Sequence, residues 1–481
     1  MTHNLIIILD YILLVNVFLI SILIFFERRN PSSTWAWLMV LSFFPLIGFI
    51  LYIFLGRNFR KKKIFYKKKE EDKALKYISI KEDKDRKKHY DINNPIIKRF
   101  NEIINLHYHS ANSVLTSDNQ VKVFNTGREK FESLLKSLRT AKHFIHLEYY
   151  IFRKDTIGKL ILEILEDKAK EGVEVKLLYD AIGAIDLSYI SFKKLKKYGG
   201  EVVAFFPSLF PYINLRINYR NHRKIAIIDG KTAFIGGFNI GDEYLGYSEL
   251  FQYWRDTHIR IKGSAVYSIQ RQFLLDWYFS LGQKAEFKKK YFPEIETFGK
   301  ANIQIVSSGP DSTWSSVKDS YFKIITSASK YVYIETPYFI PDESILQAIK
   351  IASLSGIDVK IIIPGQPDNI IVFYAGLSYV EELIDAGVEF YMYKKGFLHS
   401  KVIISDDLIA SVGTANFDMR SFNLNFEINA FIYDEDVVSI LKDAFYNDII
   451  NSSKIIYDDF KNRGKFKEFM ESLSRLFSPV L

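Results

Sequence analysis

Two stretches of the chain carry one spacing twice: residues 221–239, NHRKIAIIDGKTAFIGGFN, and residues 399–416, HSKVIISDDLIASVGTAN. His222, Lys224, Asp229 and Asn239 of the first match His399, Lys401, Asp406 and Asn416 of the second, and Gly236 matches Gly413. In each copy the His and Lys stand two apart, so on a strand their side chains leave the same face. A short apolar run follows, and in the first copy Asp229-Gly230 then supplies a favoured two-residue hairpin turn. Folded as a hairpin, the stretch presents His222, Lys224 and Asn239 at its open end, with Asp229 at the closed end about 15 Å away at strand rise. An imidazole, an ammonium and an amide converging on one point suit an anionic group, most simply a phosphate.

The echo extends outward from both motifs. AKHFIHLEYYIF (141–152) resembles SKYVYIETPYFI (329–340), pairing Glu148 with Glu335, and EGVEVKLLYD (171–180) resembles SGIDVKIIIPG (355–365). Downstream, WRDTHIRI (254–261) lines up with NFEINAFI (425–432), which sets Asp256 opposite Glu427. A period of about 180 residues is far too long for a solenoid repeat. It describes a duplicated α/β lobe in which each copy gives half of one site. The patterns predict strands at 121–124, 144–150 and 173–179 and helices at 128–138 and 157–171 in the first lobe. The second lobe repeats the order from Ile303, with helices near 315–328 and 344–355 and strands at 331–335 and 359–363. Such alternation predicts a mixed sheet with helices on its faces.

The paired HxKxxxxD motifs, each followed by a GxxN, resemble the phospholipase D superfamily. The flanking stretches RRNPSSTWAW (28–37), NHRK (221–224), FNIGDEYLG (238–246), WRDTHIRIKG (254–263), ETPYFIPD (335–342) and NFDMRSFNLNFEIN (416–429) are similar to those of bacterial cardiolipin synthases over nearly the full length. The resemblance implies two phospholipase D-like lobes forming one shared active site. It also implies transfer of a phosphatidyl group from one phosphatidylglycerol to another through a phosphohistidine, giving cardiolipin and glycerol. The residues by themselves justify phosphodiester exchange at a membrane and leave two relatives open: hydrolysis, with water as acceptor, and transfer to a different alcohol.

Two histidines explain why the lobe is duplicated. One attacks phosphorus; the other protonates the departing glycerol oxygen and then deprotonates the incoming hydroxyl. Lys224, Lys401, Asn239 and Asn416 supply donors to the non-bridging oxygens, so neither a metal nor a cofactor is implied. Each imidazole needs an acceptor on its far nitrogen, and the repeat places Asp256 and Glu427 for that task. Asp229 and Asp406 complete the family's catalytic signature, yet hairpin geometry gives them a structural role at the turn. Arg223 and Lys224 beside His222 favour its neutral form, which with the family order points to His222 as nucleophile and His399 as acid and base.

Residues 5–26 and 34–55 are two apolar runs of 22 residues each, long enough to span a hydrocarbon core of about 30 Å. The first has no basic leader and no small-residue cleavage site, which argues against a signal peptide. Together they predict a transmembrane hairpin over residues 1–56. Arg57, Arg60, Lys61, Lys62, Lys63, Lys67, Lys68 and Lys69 follow it, which places the catalytic lobes on the cytoplasmic side of the cell membrane. This cluster and the net charge of +9 suit an anionic membrane surface, with membrane phospholipids as partners. A nucleic-acid partner is not expected, because the aromatics sit in apolar stretches and do not interleave with Lys and Arg.

Residues 57–110 read as a charged linker or helical neck, 111–296 as the first lobe and 297–481 as the second. Two stretches fall outside the repeat. The aromatic-rich insertion 205–219 before His222 either packs between the lobes or faces acyl chains. At the C-terminus Phe466, Phe469, Met470, Leu473, Leu476 and Phe477 recur at helical spacing, the stripe of an amphipathic helix. Docking on the core is the usual meaning of such a stripe; lying on a membrane is the alternative.

Overall fold

The computed structural model describes residues 14–18, 20, 31–44, 48, 93–187, 189–207, 218–247 and 251–481. The chain divides into two units, Met1–Lys73 and Ala74–Leu481. In the first, the helix Pro31–Phe43 is tied to the helical residues 14–18 by a hydrogen bond from Asn16 Nδ2 to the Leu41 carbonyl (3.0 Å). Phe18, Trp35, Met39 and Phe43 are exposed there. Among the described residues no helix is long and apolar enough to cross a membrane. Most of the expected span 5–26 and the latter part of 34–55 lie outside the described residues, as do the basic cluster 57–69 and most of the insertion 205–219.

The second unit is built on one long sheet. The first lobe supplies β1 (Thr116–Phe124), β2 (Phe144–Tyr149), β3 (Glu174–Asp180), β4 (Glu201–Phe205), β5 (Lys224–Ile228), β6 (Thr232–Gly236) and β7 (His258–Lys262). The second supplies β8 (Ala301–Ser308), β9 (Tyr331–Glu335), β10 (Asp358–Pro364), β11 (Glu389–Tyr393), β12 (Val402–Ser405), β13 (Ile409–Gly413), β14 (Asn425–Tyr433) and β15 (Ser452–Lys454). Their order is β15-β11-β10-β9-β12-β13-β14-β8-β1-β7-β6-β5-β2-β3-β4. Outward from the centre, each half reads first strand, seventh, sixth, fifth, second, third, fourth. The duplicated α/β lobe expected from the repeat is therefore present, and the antiparallel pair β1–β8 joins the halves.

Helices cover both faces, so the central strands are buried on both sides: β2, β5 and β12 contain no exposed residue. The crossover helices Thr156–Lys170 and Glu343–Leu354 start alike. The carboxylates of Asp155 and Asp342 cap them by accepting from Gly158 N (3.1 Å) and Ile345 N (3.0 Å). Residues 95–111, expected as linker or neck, form the helices Pro95–Arg99 and Asn101–Ala111; their Ile97, Ile103 and Ile104, with Phe100 at the junction, belong to the apolar core of the second lobe.

The β5–β6 and β12–β13 hairpins turn where the motifs place their aspartates. Asp229 and Gly230 have φ of 53° and 65°, and Asp406 and Asp407 have 56° and 64°, the pair of left-handed residues a type I′ turn needs. Each carboxylate clamps the start of the neighbouring strand. Asp229 accepts from the amides of Lys142 (2.9 Å), His143 (2.7 Å) and Phe144 (2.9 Å). Asp406 accepts from Ser329 (2.8 Å), Lys330 (2.8 Å) and Tyr331 (3.1 Å), and also from the Arg99 guanidinium.

Candidate active site

Two short parallel bridges carry chain from each lobe to the other and decide what each histidine meets. Arg220–Asn221 pairs with Asn425–Phe426 of the second lobe, and Phe397–Leu398 pairs with Trp254–Arg255 of the first. The next amide in each case continues the bridge: His222 N donates to the Phe426 carbonyl (3.0 Å), and His399 N to the Arg255 carbonyl (2.6 Å). Glu427 follows Phe426 and Asp256 follows Arg255, so each imidazole arrives beside the acid of the opposite lobe.

His222 Nδ1 lies 3.0 Å from both carboxylate oxygens of Glu427, and His399 Nδ1 lies 2.6 Å from Asp256 Oδ2. Both acids are fully buried, and contact with the imidazoles and lysines holds them below the usual carboxylate range against the opposing cost of burial. An ionised carboxylate only accepts, so Nδ1 carries the proton and Nε2 keeps its lone pair. Each histidine retains 8% of its surface, enough to present that nitrogen outward. The close approach of Asp256 depends on Gly237: a Cβ there would fall 1.9 Å from Asp256 Oδ1.

Burial and a shared field shape the electrostatics. Desolvation pushes Lys224 down to about 7, with Lys401 repelling it, and pushes Lys401 down to about 8. Desolvation also lowers His222, and desolvation reinforced by the Lys401 charge lowers His399 to about 3. Both imidazoles are thus neutral at physiological pH. Lys224 Nζ donates to the His222 carbonyl (2.7 Å), and Lys401 Nζ donates to the His399 carbonyl. A phosphodiester placed between two neutral Nε2 atoms would meet a nucleophile on one side and a proton carrier on the other.

His222, Lys224, His399, Lys401, Asp256 and Glu427 are brought together as one coupled group. Asn239 and Asn416 are buried and already hydrogen-bonded. Asn239 Nδ2 donates to the Tyr244 hydroxyl (3.1 Å) while its oxygen accepts from Ile151 N (3.1 Å), and Asn416 Nδ2 donates to Asp418 (2.9 Å). One hydrogen remains on each amide nitrogen beyond these bonds. Asp229 and Asp406 sit at the hairpin turns, away from the histidines.

Arg223 does not act on His222 as expected. Alternation along the strand turns it to the other face, where it is buried and donates to Asp276 (2.5 Å), the Glu427 carbonyl (3.1 Å) and the Ser308 carbonyl (3.2 Å). Sequence reasoning also passed over Tyr150, whose ring stands edge-on to the His222 imidazole at 5.1 Å with Lys224 Nζ 5.4 Å above it. The aromatic-rich YYIF run after Glu148 was the available signal. Trp254, at 5.3 Å, plays the matching part beside His399. Thr257, next to Asp256, and Ser400, inside the second motif, are hydrogen-bonded at 2.8 Å.

The family model "Cardiolipin synthase, PLD-like domain" matches residues 134–277 and 321–449. The cardiolipin synthase of Listeria monocytogenes serotype 4a (strain HCC23) is 47% identical over 472 residues, 98% of either chain. The chain belongs to the cardiolipin synthase family. It is an enzyme of the phospholipase D superfamily with cardiolipin synthase function. Cardiolipin synthase 2 of Staphylococcus epidermidis (strain ATCC 35984) is also 47% identical, over 477 residues and 98% of either chain. A second family model, "Phospholipase_D-nuclease N-terminal", matches residues 13–57. Among solved structures, the phosphatidylserine synthase of Haemophilus influenzae Rd KW20 superposes with a TM-score of 0.61 at 15% identity, covering 81% of this chain and 100% of that one. That likeness extends to the fold.

Proposed function

We propose that this cardiolipin synthase family member transfers a phosphatidyl group between two phosphatidylglycerol molecules through a covalent histidine adduct. The observation that carries the reading is the pair of swapped contacts, His222 on Glu427 and His399 on Asp256. One Nε2 attacks the donor phosphorus, the N–P bond forms as the P–O bond to glycerol breaks, and the other imidazole, protonated on Nε2 once the anionic lipid is bound, gives that oxygen its proton. The acceptor's hydroxyl then returns a proton to the second imidazole and attacks phosphorus, the N–P bond breaks, and cardiolipin leaves. Lys224 and Lys401, with the free hydrogens of Asn239 and Asn416, hold the non-bridging oxygens. Asp256 and Glu427 orient the imidazoles, and Asp229 and Asp406 hold the hairpins that carry them.

His222 is assigned as nucleophile and His399 as acid and base. With Arg223 turned away, this assignment rests on the family order. The depression of His399 to about 3 requires the bound lipid phosphate to restore its proton affinity. Residues 1–56 are assigned as a two-helix membrane hairpin with the lobes at 111–296 and 297–481 on the cytoplasmic side. The apolar composition and exposed side chains such as Trp35 and Phe43 support that placement.

The test is turnover of labelled phosphatidylglycerol by purified protein and by His222→Ala and His399→Ala. Cardiolipin and glycerol are the expected products, each variant is expected to lose at least about a hundredfold, and the trapped adduct is expected on His222. Phosphatidic acid as the main product would make water the acceptor, and an adduct confined to His399 would reverse the roles.

A further inference from the structure

The C-terminal helix Lys465–Arg475 docks by the wrong face for a core helix. Its buried residues are Glu471 and Ser474, while Phe466 and Phe469 are 75% and 61% exposed and Leu476, just beyond its end, is 75% exposed. Its anchors are polar. The Arg463 guanidinium grips Glu471 (3.0 and 2.8 Å) and reaches Glu381 (2.9 Å). Arg475 lies over the Tyr379 ring at 4.4 Å and donates to the Ser378 carbonyl (3.3 Å). The stripe that marks the helix as amphipathic is thus held outward by charge–charge contacts beneath it. Residues at i, i+3, i+7 and i+10 share one side of a helix, so Phe466, Phe469, Leu473 and Leu476 form a single raised strip.

One helix separates this strip from the catalytic machinery. The helix packs against the helix Ile370–Leu377, whose first turn leaves Ile370 and Ile371 exposed as well. Asn369 caps that turn, accepting from Ile371 N (3.0 Å) and Val372 N (3.2 Å). Its neighbour Asp368 accepts from the Tyr338 hydroxyl and acts on the charge of Lys401. Lys465 lies at the edge of the strip, while Lys467 shares the opposite side with Glu471 and Ser474. An apolar ridge with Lys465 at its edge, on a helix packed beside one that leads away from the phosphodiester site, matches an anionic lipid interface.

We propose that the helix Lys465–Arg475 lies in the headgroup region of the bilayer and seats the catalytic cleft on the membrane, in addition to any anchoring by residues 1–56. The proposal rests on the reading that the substrate is a membrane phospholipid. With the ridge about 5–10 Å into the headgroup boundary, a lipid can present its phosphodiester to the histidines while its acyl chains stay in the bilayer.

The chain contains no cysteine, so Phe469→Cys, Leu476→Cys and Lys467→Cys each give one site for a nitroxide label on the full-length protein in phosphatidylglycerol–phosphatidylethanolamine vesicles. Labels at 469 and 476 are expected to be relaxed by dissolved oxygen and shielded from a water-soluble nickel chelate, with the reverse at 467. Exposure of 469 and 476 to the chelate would overturn the proposal. So would shielding from both reagents, which would mean a protein cover, from a second copy or from this chain's own N-terminal segment. In a second arm, the variant with Phe466, Phe469 and Leu476 all changed to Ser is expected to lose at least fivefold in kcat/KM on vesicles. On short-chain phosphatidylglycerol below its micelle concentration it should stay within twofold of the parent, and equal losses on both substrates would also overturn the proposal. A parent protein that turns over neither form would refute the lipid substrate, while label depth would still decide the docking.

Discussion

The two motif hairpins share a backbone plan and differ in how each is held. The first turns through Asp229-Gly230 and sends His222 to a glutamate that offers both oxygens at 3.0 Å. The second turns through Asp406-Asp407 and sends His399 to an aspartate that offers one oxygen at 2.6 Å. The shorter acid reaches because Gly237 leaves room for it. The lysines differ as well, near 7 for Lys224 and near 8 for Lys401. Duplication has thus kept the geometry of the site while giving each histidine a different acid. That difference suits the proposed mechanism, in which one histidine is the covalent carrier and the other moves protons.

The strongest way to break this comparison is to neutralise the two acids separately. Asp256→Asn and Glu427→Gln each keep the shape of the contact and remove the charge that stabilises a protonated imidazole. Losses in kcat of about a hundredfold to ten-thousandfold are expected, as for the orienting acid of a Ser-His-Asp triad. Thermal midpoints should stay near the parent value. The acid that orients the proton carrier is expected to matter in both half-reactions, so under the proposed roles Asp256→Asn is the more severe. A loss below tenfold in either variant would remove that acid from the mechanism.

A smaller effect separates the lysines. In the free enzyme, rising pH first strips the proton from Lys224, near 7, and then from Lys401, near 8, so the site loses positive charge and its hold on an anionic phosphodiester. The expected profile of kcat/KM therefore falls on the alkaline side across this range, because that ratio reports free-enzyme ionisations. Bound lipid keeps both lysines charged, so the fall in kcat should come at higher pH. Since Lys401 is one of the charges that lower Lys224, Lys401→Met should move the remaining alkaline limb upward. A limb that moves down or stays put would mean that the two lysines do not share one anion.

Much of this site was legible because its parts recur at fixed spacing. The hairpins, both acids and the order of strands in each lobe follow from the repeat. Which acid serves which histidine does not, since Arg220–Asn221 on Asn425–Phe426 and Phe397–Leu398 on Trp254–Arg255 are two-residue pairings, too short to leave a periodic trace. The helices at 95–111 were hidden for a different reason. Their apolar residues Ile97, Phe100, Ile103 and Ile104 stand among charged ones and find their partner in the second lobe, some 200 positions later in the sequence. The C-terminal helix shows the converse. Its stripe was plain, but the ion pair between half-buried Arg463 and buried Glu471, which decides the face that docks, looks like ordinary surface charge in one dimension.

The smallest effect on chemistry, and the clearest on stability, is expected at the hairpin turns. Asp229→Ala and Asp406→Ala each leave three strand-starting amides without their acceptor and put alanine at a positive φ. Lost charge-assisted hydrogen bonds cost about 1–3 kcal/mol, and a non-glycine residue without a polar side chain in the left-handed region adds about 1–2 kcal/mol. Asp406 is the more buried of the two and takes the Arg99 guanidinium as well. Its partner in the turn is Asp407, where the first lobe has Gly230. Asp406→Ala should therefore lower the melting temperature more than Asp229→Ala. Turnover per folded molecule should stay within about threefold for both, because neither carboxylate faces the reacting phosphorus. A hundredfold loss of kcat at an unchanged melting temperature would place these aspartates in the chemistry and break the distinction between the end of the hairpin that reacts and the end that holds.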